Sequence, residues 1–100
     1  MENTKIVKMA IVGAGLWGEA HASIYREHMF AEPVAVCDLN RPKAEALAKK
    51  FGIGRVYADC EEMLRECPCD AVAIVTPDFL HADIAVACAR AGKHMIVEKP

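Results

Sequence analysis

No stretch of the 100-residue sequence approaches the roughly 18 consecutive apolar residues that a membrane-spanning helix needs. Nor is there an excess of basic charge. Twelve Lys and Arg stand against 14 Asp and Glu, a formal charge of -2, and the densest basic cluster is the pair Lys49 and Lys50. A nucleic-acid partner, which needs a basic face, is therefore not expected. Repeats, linkers and low-complexity tracts are missing too, which excludes disordered, collagen-like and coiled-coil readings. The five cysteines, Cys37, Cys60, Cys67, Cys69 and Cys88, are odd in number and lack metal-site spacing, the closest pair being Cys67-Pro68-Cys69. They read as small buried hydrophobes in a reducing cytoplasm, with a zinc or redox role as the alternative.

The N-terminal segment has some marks of a secretory signal. Lys5 and Lys8 precede an apolar run from Met9 to Trp17, and Ala20-His21-Ala22 has the small-residue form of a cleavage site. Gly13 and Gly15 interrupt that run, however, and Glu19 lies between it and the supposed site. A turn motif explains the same residues better, and the chain is read as cytoplasmic.

What is present is an ordinary globular balance, 54% hydrophobic and 26% charged. A single domain of this length buries roughly 60–70% of the surface its unfolded chain exposes. Apolar runs alternate with helical periodicity along the whole chain. Strands are expected at Ile6 to Val12, Val34 to Asp38, Arg55 to Tyr57, Ala71 to Val75 and His94 to Glu98. The first helix is expected from Leu16 to about Met29, with Ala20 and Ile24 on one face. For the second, Asn40 can cap, Pro42 suits the first turn, Ala44, Leu47, Ala48 and Phe51 form a buried stripe, and Gly52 is the stop. Asp59 and Glu62 have the spacing of a capping box for a third helix, ended by Pro68. Asp78 can cap a fourth, with Ile84, Ala85, Cys88 and Ala91 inward and Gly92 closing it. Five strands joined by four helices imply right-handed parallel crossovers and a doubly wound, Rossmann-type α/β sheet over residues 1–100.

Gly13-Ala14-Gly15-Leu16-Trp17-Gly18 fits G-x-G-x-x-G, following a strand and opening a helix. In that context Gly13 permits the tight turn, Gly15 lets a pyrophosphate approach the backbone, and Gly18 lets helix and strand pack closely. The N–H groups at the helix start favour the anion. Asp38 lies twenty residues beyond Gly18, at the end of the second strand, where a carboxylate accepts hydrogen bonds from an adenosine ribose. The alternative is a glycine-rich turn beside an ordinary capping aspartate. Asp38 favours NAD over NADP by like-charge repulsion, while Arg41 is near enough in sequence to leave NADP open. Leu16 and Trp17 stand at the turn, Trp17 either flanking the cofactor or filling core. Thr76-Pro77 follows the fourth strand at the sheet's carboxyl edge, where open α/β folds bind ligands. Glu98-Lys99-Pro100 leaves the fifth strand at that same edge, and His81 lies one turn into the fourth helix.

The whole pattern resembles the N-terminal domain of the Gfo/Idh/MocA oxidoreductases, the family of glucose-fructose oxidoreductase and inositol dehydrogenase. The segments that carry the resemblance span nearly the full chain: Ala10 to Gly18 with His21, then Cys37-Asp38, then Thr76-Pro77-Asp78-Phe79-Leu80-His81, and last Ala91 to Pro100 with Glu98-Lys99-Pro100. The resemblance implies hydride transfer between a nicotinamide cofactor and the CH–OH or ketone carbon of a sugar, cyclitol or related polyol. Lys99 is then expected beside the reacting oxygen, Glu98 near the nicotinamide riboside, and Thr76, Pro77 and Asp78 along the cofactor cleft. His81 is carried over for its proximity alone.

A second α/β domain, which bears substrate and assembly surfaces in the family, is expected in a longer parent protein, whose homo-oligomer would form through it. Without a substrate held in place, the 100 residues alone are expected to bind cofactor rather than turn over. Two other readings are kept: a nucleotide-sensing or interaction module without catalysis, and a Rossmann protein for a flavin or methyl donor.

Overall fold

The computed structural model describes residues 6–76 and 78–97, and of residues 78–81 the backbone. It contains β1 (Val7–Val12), α1 (Leu16–Glu27), β2 (Ala31–Cys37), α2 (Arg41–Phe51), β3 (Arg55–Tyr57), α3 (Cys60–Glu66), β4 (Ala71–Ile74), α4 (Asp78–Arg90) and β5 (His94–Val97). All four strand pairings are parallel, in the order β3-β2-β1-β4-β5. The expected α/β sheet is thus formed. The chain turns back on itself between β1 and β4, and this switch opens a crevice at the carboxyl edge.

Two helical layers follow from the period-2 alternation of side chains along buried strands. Ala10, Val12, Ala35, Cys37, Val72 and Ile74 face one way, onto Met63, Cys67 and Cys88 around α3 and α4. Ile11 and Val36 face the other way, onto Ala22 of α1 and Ala44, Leu47 and Ala48 of α2. The α2 stripe is as read from the periodicity. Asn40 caps that helix by accepting from the Lys43 N–H at 3.3 Å, and Gly52 ends it at φ 68°.

Several boundaries depart from the sequence expectation, each for a local reason. β1 begins at Val7 rather than Ile6, and β2 begins at Ala31, three residues early, because Val7, Lys8 and Met9 pair with Ala31, Glu32 and Pro33. The β1–β2 register shifts there, Met9 pairing with Pro33 and Ala10 with Ala35, and β3 pairs with β2 only from Ala35 onward. The missing proline N–H therefore breaks no ladder that the fold needs. Helix α1 stops at Glu27, where the His28 N–H turns back to the Ile24 and Tyr25 carbonyls. Asp59 does cap α3, but its bond goes to the Glu61 N–H at 3.0 Å and not to Glu62. β4 ends at Ile74, and Asp78 is the first residue of α4 rather than its cap. Ala91 is exposed in the turn that Gly92, at φ 73°, completes.

The largest departure concerns the face of α1. Ala20 and Ile24 are exposed, Ile24 at 60%, while Gly18 and Ala22 are buried. The cause is the contact at the helix start. A Cβ at Gly18 would lie 1.9 Å from the Gly13 carbonyl oxygen, and one at Gly13, whose φ is +114°, would lie 2.8 Å from the Val75 oxygen. Backbone meets backbone here, so the small residues face the sheet and Ile24 is turned out. Gly15 differs, since a Cβ there meets nothing within 4 Å and its φ of -86° suits any residue.

Gly18→Ala is accordingly expected to destabilise the fold by about 3 kcal/mol, with Gly15→Ala within about 0.5 kcal/mol of the parent. Paired denaturant unfolding curves check this, and equal midpoints for the two variants would show that the α1 contact does not set the packing.

Candidate functional site

The loop after β1 is held from three sides. The Gly13 N–H donates to the Cys37 carbonyl at 2.8 Å, tying the loop to β2, and the Val75 N–H donates to the Val12 carbonyl at 2.9 Å, tying it to β4. The Ala14 N–H donates to Asp38 Oδ2, also at 2.8 Å. Helix α1 then begins with no side chain capping it at Gly15. Its first N–H groups lack intrahelical acceptors and lie at the positive end of the helix dipole, which favours an anion. The space that Gly15 leaves open is where such an anion can reach the backbone.

A cavity of about 560 Å³ runs from this loop along the carboxyl edge to the inner face of α4. Gly13, Ala14, Gly15, Asp38, Val75 and Thr76 line one part, and Leu39, Lys43, Asp59, Cys60 and Ile84 another. A wider groove of about 720 Å³ lies between α3 and α4, lined by Leu64, Arg65, Val86 and Arg90 among others, and it does not include the glycine loop.

Asp38 follows β2 directly, and its two oxygens accept from Ala14 N and, at 2.8 Å, from Asn40 N. Thr76 supplies a second sign of a ligand. Among the described residues its Oγ1 is buried without a hydrogen-bond partner, a state that costs about 1–3 kcal/mol unless a ligand or water relieves it. An open glycine cradle, a carboxylate at the end of β2 and an unpaired hydroxyl on one cavity wall fit a dinucleotide. They would hold its pyrophosphate, its adenosine ribose and its far half respectively, and the nicotinamide ring supplies hydride chemistry when bound.

The thiols around the cavity add no charge. Burial, with Asp38, Asp59 and Glu62 nearby, pushes the Cys37 thiol up to about 12. A hydrogen bond with Cys88 and then burial hold Cys60 above the ordinary thiol range. All five cysteines are free, four of them buried and Cys60 half-buried. Among the described residues, the charge on the lining comes instead from the carboxylates Asp38, Asp59, Glu61 and Asp83, against the ammonium of Lys43.

Of the residues singled out in the sequence, Gly13, Gly15, Asp38 and Thr76 meet on the cavity, and Gly18 stands behind it as a packing residue. Leu16 and Trp17 are at the helix start, 81% and 52% exposed, so Trp17 does not fill core. Arg41 is outside the lining, its Nε 3.2 Å from Glu45 on the exposed side of α2. Asp78 and His81 fall in the first turn of α4, with side chains outside the description. Pro77, Glu98 and Lys99 lie outside the described residues. Leu39, Lys43, Asp59 and Ile84 were not expected at the site; Leu39 follows Asp38 directly, and the fold brings Lys43 of α2, Asp59 before α3 and Ile84 of α4 to one cavity. Among the described residues no helix is long and apolar enough to cross a membrane.

Comparison with known proteins agrees with this geometry. The family model described as the oxidoreductase family, NAD-binding Rossmann fold, matches residues 7–100. D-glucoside 3-dehydrogenase of Escherichia coli strain K12 is 37% identical over 95 residues, covering 94% of this chain and 27% of the relative. scyllo-Inositol 2-dehydrogenase (NAD(+)) of Bacillus subtilis strain 168 is also 37% identical over 95 residues, covering 94% and 28%. The crystal structure of scyllo-inositol dehydrogenase from Lactobacillus casei with bound NAD(H) and scyllo-inositol superposes with a TM-score of 0.90 at 31% identity, over 96% of this chain and 28% of that one. The chain thus spans less than a third of the length of these relatives. It belongs to the Gfo/Idh/MocA oxidoreductase family, as the NAD-binding Rossmann domain.

Proposed function

We propose that this domain serves a dehydrogenase that moves hydride between NAD and the CH–OH or ketone carbon of a sugar, cyclitol or related polyol. The observation that carries the cofactor part is the junction of Asp38 with the glycine loop, at 2.8 Å, beside the unpaired Thr76 hydroxyl. The substrate class is supported by relatives named for D-glucoside, levoglucosan and inositol substrates.

In this reading the start of α1 binds the pyrophosphate and Asp38 the adenosine hydroxyls. Four carboxylates against one ammonium among the described residues of the lining oppose a 2′-phosphate, which favours NAD over NADP. Lys43, rather than Arg41, is the cation placed to soften that preference. Thr76 gives its hydroxyl to the cofactor along the cleft, with Pro77, Asp78 and His81 next to it in sequence. Val97 pairs with Ile74, so β5 ends at the carboxyl edge beside β4. Glu98 follows to contact the nicotinamide riboside, and Lys99 to hold an ammonium by the substrate oxygen. There it would stabilise the negative charge that develops on that oxygen and assist its proton transfer. A cytoplasmic location is supported by the five free thiols. The homo-oligomeric parent rests on the family resemblance alone.

Two measurements test the reading. NADH titrated by fluorescence is expected to bind saturably, with Gly15→Ala and Asp38→Ala each weakening it roughly tenfold or more. Unchanged binding in both would remove the site. In the full-length protein, Lys99→Ala is expected to lower kcat/KM for an accepted polyol by about 10²–10⁴ with NADH affinity retained. Full turnover in that variant would remove the assigned role.

A further inference from the structure

We propose that Asp38 is a positioning residue for the glycine loop, in addition to any contact with ribose: its carboxylate sets the direction of the Ala14 peptide and so the shape in which the loop receives pyrophosphate. The inference rests on the cofactor reading above and deepens it.

Ala14 is half-buried between Gly13, at φ +114°, and Gly15, the residue before α1. Its neighbour's N–H is spent on β2, the Gly13 N–H reaching the Cys37 carbonyl. The Ala14 N–H has left the sheet, and its acceptor is Asp38 Oδ2, 24 residues away in sequence. The second oxygen, Oδ1, takes the N–H of Asn40, which in turn caps α2 through Lys43. One carboxylate therefore links the loop after β1 to the loop after β2 and to the start of α2. Glycine at 13 and 15 makes this loop easy to bend, because neither residue has a Cβ to confine its φ and ψ. The charge-assisted bond from the Ala14 N–H supplies the order that the glycines do not, and the one from the Asn40 N–H fixes the carboxylate that makes it.

The two roles do not compete for the same lone pairs. A carboxylate offers about four acceptor positions, and the two N–H groups use one on each oxygen. One remains on each, the arrangement that a vicinal diol can meet. Asp38 can thus hold the loop before cofactor arrives and keep holding it afterwards.

The roles separate if the hydroxyls are removed instead of the carboxylate. The full-length protein is titrated with NADH and with the reduced analogue carrying 2′,3′-dideoxyadenosine, which has no diol for Asp38 to bind. Asp38→Ala is expected to weaken binding of the dideoxy analogue roughly tenfold, and Asp38→Asn, which keeps one acceptor oxygen, to fall between. Amide exchange in the cofactor-free protein gives a second readout. Residues 13–17 should exchange faster in Asp38→Ala, with β1 and the rest of α1 unchanged, a selectivity that general destabilisation does not produce. Equal affinity of parent and variant for the analogue, with loss confined to NADH, would overturn the proposal and leave Asp38 as a ribose ligand only. If Asp38→Ala does not fold, Asp38→Asn decides by the same comparison. Failure of the parent protein to bind either nucleotide would instead overturn the cofactor reading, and the positioning role with it.

Discussion

The contact between the start of α1 and the turn after β1 constrains the rest of the structure. With only 1.9 Å between a virtual Gly18 Cβ and the Gly13 oxygen, no side chain fits, and the helix can dock in one rotational setting. Burying Ile24 fully would gain about 1.5–3 kcal/mol. Turning the helix to do so would drive another residue's side chain into the Gly13 carbonyl, a backbone atom that cannot move without unmaking the Gly13–Cys37 bond. Steric exclusion wins over transfer free energy. Gly18 and Ala22 face the sheet, and α1 aims its uncapped N–H groups across the carboxyl edge.

Close approach also selects what fills the layers. On the β1 and β4 positions the sheet presents Ala10, Ala71 and Ala73, which leave room for helices to sit near the strands. On the α3 and α4 side the gaps are taken by sulfur: Met63, Cys67, Cys69 and Cys88 are all buried in one cluster. Met63 is flexible enough to fit an irregular gap, and a free cysteine packs as a small hydrophobe. Their chemistry is damped where it would interfere. Cys37, at the mouth of the cavity, is raised to about 12 by burial and neighbouring carboxylates, so it stays a neutral thiol beside Asp38. At the opposite end of β4 the Cys67 hydrogen bond, helped by Lys93, lowers Cys69 to about 7. That group lies outside the cavity lining and does not enter the site's charge balance.

Much of this architecture is legible in the residues. Alternating apolar runs and helical stripes placed the five strands and four helices, because the central strands have no polar face and α2, α3 and α4 are each followed by a glycine or proline stop. Gly13 and Gly18 were identifiable because a tight turn and a backbone-to-backbone contact admit no side chain, and Gly15 and Asp38 because their spacing from that turn fits a dinucleotide motif. What could not be read depends on contacts between distant elements. The face of α1 is set by Gly13, not by its own hydrophobicity. The tolerance of β2 for Pro33 depends on β3 pairing only with Ala35 to Cys37. Lys43 and Ile84 join the site because strand order puts α2 and α4 around one crevice. Arg41, nearer Asp38 in sequence, is taken by Glu45 one helical turn on.

A carboxylate bonded to the very loop that must receive a pyrophosphate looks self-defeating, and magnitudes show why it is tolerated. Two unit charges 8 Å apart at an effective dielectric constant of 20 repel by about 2 kcal/mol. Hydrogen bonds to a charged group contribute about 1.5–3 kcal/mol each, and Asp38 makes two of them to backbone N–H groups. Those bonds are made before any ligand arrives and stabilise the folded loop, while the α1 dipole supplies the attraction that opposes the repulsion on binding. The remaining repulsion would fall most heavily on a ligand that brings a further phosphate, because Asp38, Asp59 and Glu61 all line the same cavity. On the reading proposed above, ordering the loop and discriminating against that ligand would be two consequences of one charge placed at the end of β2.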